Sequence, residues 1–493
     1  MLKILPYEIW FVTGSQHLYG PETLEEVERH SKEIVQGIND NEAVAAPVVF
    51  KKVVTTSEEI RVLFTEANKN DNCAGIITWM HTFSPAKIWI NGLNALQKPL
   101  LHLHTQYNES IPWDSIDMDY MNLHQAAHGD REFGFITARM NIPRKVVSGY
   151  WKSHKVAEKI GRWSRIAIAY SEGRNIRVAR FGDNMRNVAV TEGDKVEAEM
   201  NFGWSIQAYG IGDLVEYINQ VTEDELDSLL AEYKETYKIA SDINWESVRE
   251  QARIEAGMEK FLVKGGFNAF TTNFEDLHGM KQLPGLAVQR LMEKGYGFGG
   301  EGDWKTAALV RVMKIMADGK ETSFMEDYTY HLEENNELVL GSHMLEICPS
   351  IQKQGSRASV VVNPLTMGDR EDPARLVFNG MAGEAVNVSL IDLGNRHRLV
   401  VNEVTAVDVE HEMPSLPVAR VLWKARPSLH EAAEAWITAG GAHHTCLSFQ
   451  LNAEDLEDWA EMTGIECVVI DDHTTPREFR NELRQNEAYW SSR

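Results

Sequence analysis

A chain of 493 residues, 43% apolar and 25% charged, is ordinary globular material. It exceeds the roughly 250–300 residues that one hydrophobic core supports, so two or three domains are expected. Its 73 acidic against 49 basic residues give a net charge of −24, which argues against a nucleic-acid or anionic-membrane surface and favours a neutral or cationic small molecule.

The stretch Met1 to Val12 leads directly into a strand pattern without a basic leader and cleavage site, and no apolar run approaches the roughly 18 residues of a membrane span. The expectation is a cytoplasmic protein. Cys73, Cys348, Cys446 and Cys467 are scattered and lack Cys-x-x-Cys spacing, so they read as reduced, packed thiols. Cys446, two residues after His444, is set aside as a thiolate ligand.

Tyr7 to Val12 reads as a buried strand, and Gly14 to Gly20 as the loop at its C-terminal end. A helix follows from Pro21, with Leu24, Val27, Ile34, Val35 and Ile38 on one face. Pro47 to Val54 is a second strand, Ser57 caps the next helix, and Ala74 to Met80 is a third strand opening into His81 to Pro85. Strand alternating with helix is the pattern of a parallel sheet covered on both faces, where ligands gather beyond the C-terminal strand ends. That rule places Gln16, Tyr19, His81 and Phe83 on one rim. Leu100 to His104 is a further strand, and His124 and His128 have the spacing of a shared helix face.

The pattern restarts after Gly161 to Asn175 with the strand Ile176 to Phe181, the helices Asp224 to Tyr237 and Trp245 to Leu262, and the strand Phe267 to Phe274. From about Glu326 the rhythm becomes strand after strand: Glu337 to Cys348, Ser359 to Leu365, Arg375 to Asn379, Ala385 to Leu393, Arg398 to Val409 and Pro417 to Trp423. An antiparallel sheet, sandwich or barrel fits that run. Helices at Ser428 to Thr438, Ala453 to Met462 and Arg477 to Tyr489 form a tail with the strand Glu466 to Ile470. The expected fold is α/β plus β: two Rossmann-like α/β domains with parallel sheets, 1–170 and 171–325, then a mainly antiparallel β-barrel-like domain with a helical tail, 326–493.

The stretch Gly299 to His343 is the richest in ligand-capable side chains. Gly295, Gly297 and Gly300 match the Gly-x-Gly-x-x-Gly dinucleotide fingerprint, but a helical segment, Leu286 to Lys294, precedes them where a strand is required. Glu301 would also meet the pyrophosphate with negative charge. Singly, the remaining candidates have plain readings. A Glu at a helix start stabilises the helix dipole, and a His in a strand, as at His343, is a satisfied core residue. The adjacent His443 and His444 point to opposite sides of a strand, so at most one of them ligates.

Together the motifs say more. Gly300-Glu-Gly-Asp-Trp-Lys-Thr-Ala, Thr322-Ser-Phe-Met-Glu-Asp-Tyr-Thr-Tyr, Gly341-Ser-His-Met-Leu-Glu and Ala439-Gly-Gly-Ala-His-His-Thr resemble the metal-site motifs of the L-arabinose isomerases. The likeness runs from Trp10-Phe-Val-Thr-Gly-Ser-Gln-His-Leu-Tyr19 to the C-terminus. It implies that Glu301, Glu326, His343 and His444 are metal ligands and that the two glutamates are also catalytic. It implies sugar contacts from Gln16, Leu18, Tyr19, Met185, Phe274 and His443, with Phe83, Gln125 and His128 lining the cavity. Leu365-Thr-Met-Gly-Asp369 stands where the family often has Leu-Gly-Ile-Gly-Gly, so Met367 replaces a branched apolar contact and leaves selectivity between L-arabinose and D-galactose open.

Two carboxylates and two imidazoles suit one divalent cation per subunit, Mn2+ with Co2+ or Mg2+ as alternatives, with two positions free for adjacent sugar oxygens. The chemistry implied is conversion of L-arabinose to L-ribulose, and of D-galactose to D-tagatose, through an enediol, with a hydride shift as the alternative route. A homo-hexamer or homo-tetramer is also implied, with Gln16 and Tyr19 acting on a neighbour's site. L-fucose isomerisation and non-catalytic sugar sensing are the competing readings.

Overall fold

The computed structural model describes residues 4–365 and 370–491, which divide into two compact units, Ile4–Ser171 and a larger one beginning at Glu172. The predicted contact at Met367 lies outside the described residues. Among the described residues no helix is long and apolar enough to cross a membrane.

In the first unit, strands β1 (Glu8–Gly14), β2 (Val48–Val54), β3 (Cys73–Met80), β4 (Leu100–His104) and β5 (Lys145–Ser148) pair in parallel in the order β2-β1-β3-β4-β5. The two central strands are apolar along their length because helices cover both faces: all of β3 is buried, and β1 is buried from Ile9 to Gly14. The helix Gly20–Asn39 buries Val27, Ile34, Val35 and Ile38 as its periodicity predicts, and His30 and Ser31 as well. Thr56, not Ser57, caps the next helix, accepting from Glu59 N, because the extended backbone of Thr56 brings its hydroxyl to the free N–H groups of the first turn. His124 and His128 do not share a helix face, since one helix ends at Leu123 and the next begins at Ala126.

The larger unit opens with a second parallel sheet of β6 (Arg177–Phe181), β7 (Ser205–Tyr209), β9 (Ala269–Thr272) and β10 (Gly297–Gly299), in the order β10-β9-β6-β7. The short β8 (Lys238–Ile239) pairs instead with β13 (Ser359–Val362), which also pairs with β14 (Ala374–Val377). The strand predicted over Phe267 to Phe274 is confined to β9, since Asn273 and Phe274 turn away into a loop.

The remaining strands are β11 (Thr322–His331), β12 (Leu338–Ser342), β15 (Gly383–Asp392), β16 (His397–Val407), β17 (Arg420–Ala425), β18 (His444–Ser448) and β19 (Glu466–Ile470). Six of them close an antiparallel ring, β15-β18-β11-β12-β17-β16, completed by the β15–β16 pairing, while β19 adds in parallel to β16. Closure removes the exposed edges that an open sheet of this size would present. The helix Trp304–Met316 packs on the parallel strands β9 and β10 and on the barrel strands β11, β15 and β18, and all 13 of its residues are buried. Two of its buried cations donate to carbonyls: Lys305 to Val190 O and Glu192 O, and Lys314 to Thr322 O. This helix therefore fixes its own N-terminus against the barrel wall.

Candidate functional site

Glu301 leaves the end of β10 in a four-residue turn, Gly300 to Asp303, that leads into the buried helix. Its backbone is left-handed, with φ 59°, a conformation costing a non-glycine residue on the order of 1–3 kcal/mol and concentrated at functional sites. The turn aims the half-buried carboxylate at the barrel, where Glu301 Oε2 lies 3.7 Å from His444 Nε2.

Three further groups come from neighbouring barrel strands. Glu326 on β11 is in register with His444 on β18 and with Ser342 on β12, so His343 follows immediately on that side. Paired residues project from the same face of an antiparallel sheet, and the side chains meet: Glu326 Oε1 is 3.4 Å from His444 Nε2, and Oε2 is 3.9 Å from His343 Nε2. A bulge leaves Tyr328 unpaired between Asp327 and Thr329, just beyond Glu326. His343 sits one residue past the end of β12, not within a strand, because the chain turns there into Met344 and Leu345.

Ligand-capable atoms of Glu326, His343 and His444 lie within 4.8 Å of one another, as do those of Glu301, His443 and His444, so His444 joins two overlapping triads. His443 precedes the first residue of β18 and is not bound by strand alternation. Its half-exposed ring lies 4.4 Å from that of His444, with Nε2 3.9 Å from Glu326 Oε1.

Two buried carboxylates that sequence reasoning did not single out hold the imidazoles. Asp303 Oδ2 accepts from His444 Nδ1 at 3.2 Å, and Glu346 Oε2 from His343 Nδ1 at 2.5 Å. With Nδ1 engaged by a carboxylate, each ring turns its Nε2 into the cluster. Asp303 also caps the buried helix, taking Lys305 N, Thr306 N and Thr306 Oγ1. Its position as the cap before Trp304, and that of Glu346 three residues after His343, were the available signals.

Charge is concentrated here. Burial pushes the Glu301 carboxyl up, and Glu326 adds to the rise against the opposing pull of His444. Burial draws the His343 imidazole down, yet Glu346 and Glu326 outweigh it and hold it at about 9. Burial likewise penalises the Asp303 carboxylate, but Lys305 and His444 bring it well below the usual range. The buried Nε2 of His444 has no hydrogen-bond partner among the described residues.

Glu301, Glu326 and His343 face a cavity of about 210 Å³ whose walls include Phe274, Leu277 and Leu345. Met185 approaches from the loop after β6, its N–H donating to Glu301 O at 2.9 Å. Gln16, Leu18, Tyr19, Phe83, Gln125 and His128 belong to the first unit. There Tyr19 Oη donates to Gln125 Oε1 at 3.3 Å and the Phe83 and His128 rings lie 5.1 Å apart, while Leu18 is 83% exposed. Gln125 and His128 line a cavity of about 620 Å³ beyond the C-terminal ends of β4 and β5. His81, expected on that rim, is fully buried between Trp79 and His30.

Models of the L-arabinose isomerase N-terminal, central and C-terminal domains match residues 3–175, 177–319 and 321–466. The chain is 64% identical to an L-arabinose isomerase of Geobacillus stearothermophilus over the full length of both chains. It is 59% identical to one of Bacillus subtilis over 99% of each, and 59% identical to one of Clostridium beijerinckii over 99% of this chain and 100% of that one. Matches of this extent and identity, over a chain that brings Glu326, His343 and His444 together, establish that it belongs to the L-arabinose isomerase family.

Proposed function

We propose that the chain interconverts L-arabinose and L-ribulose, and D-galactose and D-tagatose in the same site, with one divalent cation, Mn2+ or in its place Co2+ or Mg2+, held by Glu301, Glu326, His343 and His444. The observation that carries this reading is the unpartnered, buried Nε2 of His444 among two carboxylates and a second imidazole, in a chain of this family. That donor set fits a divalent ion: it supplies oxygen and imidazole nitrogen, and its close carboxylates repel one another until a cation lies between them. When bound, the cation supplies Lewis-acid stabilisation of negative charge building on the sugar's O1 and O2.

The chain's own groups do the rest. Asp303 and Glu346 hold the two imidazoles in the tautomer that leaves Nε2 free. Glu301 and Glu326 carry the protons. One removes the C2 proton of the open-chain aldose and delivers it to C1, giving an enediol on the way, while the other moves a proton between O1 and O2. Burial, by raising the Glu301 carboxyl, brings it nearer the range where a carboxyl both takes and returns protons. Met185, Phe274 and His443 are the sugar contacts assigned to the larger unit, and Gln16, Leu18, Tyr19, Phe83, Gln125 and His128 those assigned to the first. The enzyme acts in the cytoplasm as a homo-hexamer or homo-tetramer in which Gln16 and Tyr19 serve a neighbouring subunit's site.

The test is turnover of L-arabinose with Mn2+, by the wild type and by Glu301→Gln. Wild-type turnover that falls at least 100-fold in the folded variant supports the reading; no conversion of L-arabinose with Mn2+ present rejects it, and conversion of L-fucose alone would reassign the substrate. Deuterium from solvent appearing at C1 of the ketose supports the enediol, whereas none supports a hydride shift. Regained activity on mixing inactive Gln16→Ala and Glu301→Gln chains supports the shared site.

A further inference from the structure

The loop that follows β6 and the turn that carries Glu301 are locked to each other. Gly302, also left-handed with φ 85°, packs so closely against this loop that a Cβ there would stand 2.6 Å from both Asn184 Cα and Asp183 O. Met185 N donates to Glu301 O at 2.9 Å, and Gly302 N to Thr272 O at 3.1 Å. The Asn184 side chain completes the lock. Its amide Nδ2 donates to Gly302 O at 3.2 Å and to Thr191 O at 2.5 Å, while its Oδ1 accepts from Arg180 Nη1. Asn184 is 6% exposed, so these bonds have no water to replace them if lost.

The loop is itself strapped to the segment holding Phe274. Asp183 N donates to Asp276 Oδ2 at 2.9 Å, Arg186 N to Glu275 Oε2 at 3.0 Å, and the Arg186 guanidinium pairs with both carboxylates at 2.9 and 2.8 Å. Within the turn Asp303 N donates to Gly300 O and Trp304 N to Gly302 O, each at 2.9 Å; from outside it the β6 loop grips the carbonyls of Glu301 and Gly302.

We propose that Asn184 is a positioning residue for Glu301, its side-chain amide holding the left-handed turn so that the carboxylate stays beside His444. The inference rests on the assignment of Glu301 as metal ligand and proton carrier. Asn184 touches neither sugar nor metal; it acts through the backbone of Gly302. A displacement of about 1 Å in such a group costs on the order of 100-fold in rate.

The decisive variant is Asn184→Asp, which keeps size and the acceptor for Arg180 but replaces the donor by a carboxylate oxygen facing two carbonyls. Asn184→Ala is its companion, in case the added charge disturbs the loop. Each is compared with the wild type and Glu301→Gln for thermal midpoint, for Mn2+ affinity by the paramagnetic signal of free Mn2+ in a titration without sugar, and for kcat and KM on L-arabinose. Expected is a 10- to 100-fold loss in Mn2+ affinity and in kcat, with KM within about threefold, at temperatures where both variants are fully folded. Wild-type Mn2+ affinity and kcat in both variants overturn the proposal, as does a lowered thermal midpoint with unchanged kcat. Full activity in Glu301→Gln overturns the assignment beneath it as well, whereas an inactive Glu301→Gln beside fully active Asn184 variants rejects this inference alone.

Discussion

Glu326 and His444 stand opposite each other in the β11–β18 pair, with Glu326 Oε1 3.4 Å from His444 Nε2. The pairing, not the sequence neighbourhood of either residue, brings a carboxylate to an imidazole that is held from behind, at Nδ1, by Asp303.

Asp303→Asn separates that support from helix capping. Asn caps as well as Asp does, so the helix Trp304–Met316 is retained. The variant loses the negative charge that favours a proton on His444 Nδ1, and Lys305 loses its carboxylate partner. Mn2+ affinity is expected to fall 10- to 100-fold and the thermal midpoint to drop by several degrees. Unchanged Mn2+ affinity would show that Asp303 serves the helix alone.

Removing the metal with a chelator should lower the thermal midpoint, and adding Mn2+ should restore it in proportion to the logarithm of its concentration. At 100 times the dissociation constant the gain is about 2.7 kcal/mol. His444→Ala should lose most of that response. A wild-type midpoint indifferent to Mn2+ at any concentration would count against a metal site in the barrel.

The first unit carries an acid-sensitive core. His30 Nδ1 lies 2.7 Å from His81 Nε2, under a stacked Tyr107 and close to His124, Glu26, Arg29 and Glu33. Burial, partly countered by Glu26, lowers the His30 imidazole to about 4, while the unfolded chain titrates near 6.5. Between these values the unfolded state binds more protons, so the contribution is complete above pH 6.5 and is lost as pH falls through 4. The loss is of order 3 kcal/mol. Thermal midpoints measured by circular dichroism from pH 7.5 to 4.5 should fall, and less steeply in His30→Gln; a slope unaltered by that substitution would clear His30 of the effect.

Glu255 is fully buried and receives Tyr233 Oη at 2.5 Å and Arg290 Nε at 2.8 Å, with Lys294 Nζ 2.9 Å from its other oxygen. Glu255→Ala removes the buried counter-charge of the Arg290 guanidinium and leaves it facing the exposed Glu232, a loss of about 3–5 kcal/mol. Urea unfolding should show the midpoint falling without a change in slope. A loss below about 1 kcal/mol would mean that Glu232 alone holds Arg290.

The order of architectures was legible because periodicity is a local property. The buried run of β3, the apolar face of the helix Gly20–Asn39 and the succession of strands after Glu326 all follow from side chains that alternate or recur within a few residues. The ends of elements were less legible. Thr56 and Ser57 are equally competent caps by composition, and only backbone conformation chose Thr56. The gap between Leu123 and Ala126, which parts His124 from His128, has no glycine or proline to announce it.

By itself the sequence determined which chemical groups exist, in what order, and part of their setting: Glu301 before a helix and His444 after a pair of glycines, whereas it put His343 inside a strand that in fact ends at Ser342. Tertiary structure decided that they meet. Barrel closure sets a long-range register that a shift of one residue would reverse, sending Glu326 to the opposite face. Packing of the buried helix decided that Asp303 would reach His444, and the β6 loop decided that Glu301 would be held left-handed. These relationships depend on contacts between distant segments, and a one-dimensional pattern of apolar and polar residues does not encode their geometry.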